Sequence, residues 1–239
     1  MTNPPDSTPS HPLLNTLHAT WLEEEKTRWL ESVVEDLKTC GVLCEGVLAP
    51  GIWRPLMENG VESFEKLGID NVLLPSGERI RFALRRDLAI AGGSFDVSSQ
   101  SAREQLGWEI SEEAIAQVNR HLAALASESD STGDGRGGCV DESGSLARSH
   151  VITPGGTAMA RRMLFIDEFG RLELIRGGGL TAALELVEKG PVSRYAAEVV
   201  IVREALVDTA RDRFAPIWGA ENVQIIRPDE AGRQALLGI

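Results

Sequence analysis

The sequence predicts an α/β fold built on a mostly parallel sheet, with helices on both faces and a small antiparallel insertion. Three observations carry this. In the last third, near-continuous apolar runs (Met163 to Ile166, Val199 to Val202, Val223 to Ile226) alternate with helical patterns. Strands that read apolar throughout are covered on both faces, as in parallel sheets. Upstream, the turn Pro75-Ser76-Gly77-Glu78 separates extended stretches, which suits a hairpin.

The elements follow in order. Met1 to Pro12 is polar and Pro-rich, without the basic and apolar regions of a secretion signal, and reads as a disordered tail over 1–12. Leu13 to Lys38 reads as largely helical, because Leu22, Trp29, Leu30, Val33, Val34 and Leu37 recur at helical spacing. Gly41 stops it, and Val42 to Leu48 is a short strand closed by Pro50-Gly51. Val61 to Leu67, Asn71 to Leu74 and Arg79 to Leu84 are extended. Ser111 caps a helix running to about Ala126, with Glu112 and Glu113 in its first turn. Residues 127–150 are Ser, Gly and Asp-rich and read as a disordered insertion. Beyond it, Leu180 to Val187 and Ala205 to Phe214 are helical, and Asp229 caps a last short helix. Residues 13–239 thus form a single domain.

Composition narrows the function. The chain has 239 residues, 42% of them hydrophobic, and a formal net charge of −12. That charge repels nucleic acid and anionic membranes. No apolar run approaches the ~18–20 residues of a membrane span. Arg85-Arg86 and Arg161-Arg162 are short basic clusters that read as solvated strand ends. Cys40, Cys44 and Cys139 form neither an even disulfide framework nor a metal site, which suits reduced thiols in a cytoplasmic protein. The four histidines are scattered, and the five tryptophans read as packing residues.

The chemistry-bearing segment is Arg162-Met163-Leu164-Phe165-Ile166-Asp167-Glu168: a buried strand ending in two acids. Ligands of open α/β sheets gather at the carboxyl ends of strands. A carboxylate there can hold magnesium together with substrate phosphates, and an adjacent Glu can activate water. This is a Walker B arrangement. With its flank, Asp167-Glu168-Phe169-Gly170-Arg171-Leu172-Glu173-Leu174 resembles the Asp-Glu-Ile-Gly-Pro-Leu-Glu-Leu signature of the small nucleoside-triphosphatase family of P-loop proteins, the thermophile and human cancer-related nucleoside-triphosphatase type. The resemblance extends over about three quarters of the chain. It implies a P-loop NTPase-like fold that binds a nucleoside triphosphate with Mg2+. Lys26 and Thr27 would be the phosphate-binding pair, and Thr27 and Asp167 the metal ligands. Glu168 would be the catalytic carboxylate that activates water, and Arg203 a cis arginine facing the γ-phosphate.

One part of the pattern departs. The family's Gly-x-x-x-x-Gly-Lys-Thr loop corresponds to Thr20-Trp21-Leu22-Glu23-Glu24-Glu25-Lys26-Thr27, with Thr20 and Glu25 in place of both glycines. Glycine allows left-handed backbone and close approach to phosphate, and another residue forced there costs about 1–2 kcal/mol. Three successive carboxylates also repel an anion. Thr20-Trp21-Leu22-Glu23 is instead a capping box, so Lys26 and Thr27 also read as ordinary residues of an amphipathic helix. Glu173 reads as a structural residue. Two functions follow: a degenerate family member that has lost productive nucleotide binding and acts as a binding or regulatory module, with a nucleotide or an unknown protein as possible partner, or a weak Mg-dependent nucleoside triphosphate hydrolase.

Overall fold

The computed structural model describes residues 13–16, 23–58, 60–130 and 161–239. The elements are β1 (Leu13–Thr16), α1 (Glu23–Thr39), β2 (Leu43–Leu48), β3 (Gly51–Glu58), β4 (Val61–Leu74), β5 (Arg79–Arg85), α2 (Arg86–Ala91), α3 (Gln100–Arg103), β6 (Trp108–Ile110), α4 (Glu112–Asp130), β7 (Arg162–Phe169), α5 (Thr181–Glu188), β8 (Ala197–Val202), α6 (Val207–Trp218), β9 (Val223–Ile226) and α7 (Glu230–Leu237).

All the described strands join one sheet in the order β6-β5-β4-β2-β7-β8-β1-β9, with β3 paired to β4. The expectation of a mostly parallel sheet is corrected. Four pairings are parallel (β2–β7, β7–β8, β8–β1, β1–β9) and four antiparallel (β2–β4, β3–β4, β4–β5, β5–β6), so the sheet is mixed. The reason is that β4 is one long strand, continued through Leu67 to Asn71 by a register shift between Ile69 and Asp70, and it carries three antiparallel partners, β2, β3 and β5.

Helices do cover both faces. Along β7, Met163 and Phe165 pack with Leu30, Val33, Val34 and Leu37 of α1 and with Leu236 of α7. Leu164 and Ile166 point to the other face, against α4, α5 and α6. This alternation explains why the strand reads apolar at every position.

Three further boundaries differ from the sequence reading. Leu13–Thr16 is a strand rather than the start of the first helix, held between β8 and β9 in parallel register. The predicted 127–150 insertion begins inside α4, which continues to Asp130, and the remainder lies outside the described residues, as does the tail over 1–12. α6 runs past Phe214 to Trp218, with Pro216 inside it. The caps on Ser111 and Asp229 are as expected, accepting from Ala114 N–H at 3.2 Å and Gly232 N–H at 2.8 Å. Cys40 and Cys44 are free thiols, and Cys139 lies outside the described residues. Among the described residues no helix is long and apolar enough to cross a membrane.

The basic clusters are not merely solvated. Arg85 pairs with Glu65 and Asp87. Arg162 donates at 2.8 Å to Glu45, a β2 residue only 3% exposed, which also accepts from Arg194 at 2.6 Å and from the Tyr195 hydroxyl at 2.8 Å. This group closes the amino-terminal end of the sheet. Nearby on β8, Glu198 is sealed from solvent, and burial alone pushes its carboxyl well above the ordinary glutamate range.

A pH dependence follows. Below the ordinary range both folded and unfolded chains hold the Glu198 proton. As pH rises above about 4.3 the unfolded chain ionises while the folded one stays neutral. Its contribution therefore falls with rising pH, by as much as about 1.4 kcal/mol per pH unit, until the raised folded value is reached. Glu198→Gln should remove this slope. In urea titrations from pH 4.5 to 7, the variant should gain on the wild type as pH increases, and a constant difference would contradict the assignment.

Candidate functional site

At the carboxyl ends of β7 and β8 a cavity of about 470 Å³ opens between the parallel strands and the antiparallel layer β4-β5-β6. Thr27, Asp167, Arg203 and Glu173 line it together with apolar residues that include Ile69, Phe82, Leu106 and Ile110. Several residues singled out from sequence, far apart in the chain, therefore border one space.

Asp167 shares its face of β7 with Met163 and Phe165, the face covered by α1. It is 2% exposed, and its Oδ2 accepts the Ala49 N–H at 3.0 Å. That bond ties it to the end of β2, since β2 and β7 run parallel with Val47 opposite Ile166. Glu168 occupies a β-bulge: Asp167 pairs with Ile201 and Phe169 with Val202, leaving Glu168 as the extra residue. Bulges of this kind re-aim a side chain at the rim of a sheet. The Glu168 side chain itself lies outside the described part.

Thr27 is half-buried in the second turn of α1. Lys26 closes the first turn, and its side chain is outside the described part. The capping residues 20–22 also lie outside the described residues. α1 begins at Glu23, so Glu23, Glu24 and Glu25 fall in its first turn. Acidic residues there favour the helix dipole, and they make the helix start a poorer anion site.

Arg203 follows β8 as the exposed first residue of the turn into Glu204–Leu206. Glu173 accepts hydrogen bonds from two backbone amides. Its Oε2 accepts the Gly170 N–H at 2.9 Å and its Oε1 the Leu180 N–H at 3.1 Å. Both ends of the loop after β7 are thereby pinned. Gly179 has φ +64°, the left-handed region that favours glycine, and a Cβ there would crowd Glu173 Oε1.

Sequence reading missed the apolar lining and two of its features. Lys66 sits over both the Trp53 and Trp108 rings, 5.5 and 5.4 Å from their centroids. So these two tryptophans hold a cation at the cavity, beyond plain packing. Asn71 on β4 also lines the cavity, is 1% exposed, and its Oδ1 has no hydrogen-bond partner among the described residues.

Among the described residues no group of three or more His, Cys, Asp or Glu is placed to hold a metal ion. Comparison with family models, with curated proteins and with solved structures returns no match. The chemistry of the site therefore rests on its own geometry.

Proposed function

We propose that this chain is a non-catalytic binding module on a nucleoside-triphosphatase frame: P-loop NTPase-like in outline, with the acids retained and the phosphate cradle lost. The observation that carries the reading is the meeting of Thr27, Asp167 and Arg203 on one cavity while α1 is already helical at Lys26 and Thr27. The strand order agrees, because β1, the strand leading into α1, is separated from β7 by β8 alone. A Mg2+ ion suits Thr27 and Asp167 only as a cation arriving with phosphate oxygens, since two protein oxygens do not complete its shell.

A second reading, weak Mg-dependent hydrolysis of a nucleoside triphosphate to diphosphate and phosphate, is favoured by the Glu168 bulge beside Asp167. There Glu168 would activate water and Arg203 would face the γ-phosphate. Any protein partner of the module belongs with the first reading.

The two separate on phosphate dependence. On the module reading, a triphosphate with Mg2+ raises the melting temperature no more than its nucleoside does, and Lys26→Ala changes neither midpoint. A specific ligand at 100 times its dissociation constant adds about 2.7 kcal/mol, or roughly 5–10 °C for a chain of this size. A rise of that size confined to triphosphates and abolished by Lys26→Ala would overturn the module reading.

A further inference from the structure

The β3–β4 pair runs on beyond the rest of the sheet. β5 joins β4 from Gly68 to Val72 and β2 joins it from Val72 to Leu74, so among the described strands Val61 to Leu67 has β3 as its one neighbour. A two-stranded ribbon is marginally stable in water unless one face is packed. This ribbon instead leaves apolar side chains in solvent: Met57 is 70% exposed, Val61 66% and Phe64 52%.

The register shows how they are arranged. Opposed residues of an antiparallel pair share a face, and successive residues alternate between faces. Trp53 pairs with Lys66, Pro55 with Phe64 and Met57 with Glu62, so these residues share one face. The Lys66 ammonium lies over the Trp53 ring, as that sharing requires. The opposite face carries the ion pairs of Glu65 with Arg54 and Arg85. The apolar face is therefore the first, with Pro55, Met57 and Phe64 exposed on it and Trp53 half-buried. Pro55 lacks an N–H on the edge strand β3, a feature that discourages pairing at the edge and leaves contact through the face.

The charges of this face complement themselves. On β4, Glu62 and Lys66 stand two residues to either side of Phe64. Glu62 is exposed and has no ion pair among the described residues. Lys66 is held in place over Trp53 and Trp108, 5.5 and 5.4 Å from their centroids. A two-fold axis lying between two such faces and crossing the strands at Phe64 sets each Glu62 over Lys66 of the other copy. The same operation sets each Met57 over Trp53 of the other copy, a favourable sulfur–aromatic contact. A patch that matches itself in this way is what an isologous interface requires.

We propose that this ribbon face docks on the same face of a second copy of the chain, forming a weak two-fold dimer. The patch is far smaller than the ~20–30 residues a side of a standard interface, so assembly depends on concentration. The net charge of −12 on each copy opposes association at long range, and salt screens it beyond about 8 Å at physiological ionic strength. The inference goes beyond the reading of the cavity and does not depend on what the cavity binds.

Sedimentation velocity of the full chain at about 0.15 M salt tests it. The wild type is expected to pass from monomer at about 1 μM to a monomer–dimer mixture at about 300 μM, the range in which small interfaces assemble. Phe64→Ser and Glu62→Lys, both at exposed positions, should each weaken the dimer at least about tenfold. Adding Lys66→Glu to Glu62→Lys exchanges the two charges and should recover the association that Glu62→Lys loses. The wild type and the two single variants carry the test where the double variant does not fold. A monomer at every concentration, a dimer that Phe64→Ser and Glu62→Lys leave intact, or a folded double variant no better than Glu62→Lys would overturn the proposal.

Discussion

Glu45→Ala should lower stability by about 3–5 kcal/mol, the usual result of removing one partner from a buried ion pair. Glu45 is 3% exposed and receives three donors, from Arg162, Arg194 and Tyr195. Arg194 is itself only 8% exposed at its side chain, so the variant leaves a guanidinium facing a hole at the amino end of the sheet. For a chain of this length the loss corresponds to a fall of about 10 °C in melting temperature. Tyr195→Phe removes one charged hydrogen bond and should cost less, about 1–2 kcal/mol. Chemical denaturation of both variants measures the contrast, and a Glu45→Ala cost under about 1 kcal/mol would contradict the cluster's role.

Gly46→Ala should be as damaging, for a steric reason. Gly46 has φ +111°, and a Cβ there would lie 2.0 Å from the backbone oxygen of Phe165 on the neighbouring strand. No side-chain rotation relieves a clash with backbone, so β2 would have to move away from β7. The expected cost is about 4 kcal/mol or more. The consequence reaches the cavity, because β2 leads directly to Ala49 and hence to the hydrogen bond on Asp167. Gly41→Ala is the control. It also has a positive φ, +80°, but open space around the Cβ, and should cost only about 1–2 kcal/mol. Unfolding free energies from urea titration that differ by less than about 1 kcal/mol between the two variants would contradict the close approach of β2 and β7.

Much of this fold was legible in the sequence where side-chain pattern alone decides structure. β2, β7, β8 and β9 were read from apolar runs, and α4 and α7 from their caps. β1 was not. Leu13-Leu14-Asn15-Thr16 is too short to show a period, and it becomes a strand by inserting between β8 and β9. β3 escaped for a different reason. Pro55 and Gly51 argue against a strand, and both are tolerated because among the described strands β3 pairs with β4 alone. The mixed character of the sheet depends on that pairing and on the length of β4, neither of which has a local signature.

The site divides in the same way. Asp167, Glu168 and Arg203 were singled out from their place at strand ends, a rule of α/β sheets. The apolar lining was invisible because β4, β5 and β6 supply it from residues spread over Ile69 to Ile110, joined by pairing rather than by sequence. Asn71 carries no motif, and only its burial and its orphan oxygen mark it out.

The measurement that bears most directly on the central claim is phosphate release from Mg-bound nucleoside triphosphates by the wild-type chain and by Glu168→Gln. The account predicts equal rates at the uncatalysed background, because the acids persist without a glycine loop to hold the phosphates. Release by the wild type above that background, lost in Glu168→Gln, would contradict it and make this chain a hydrolase.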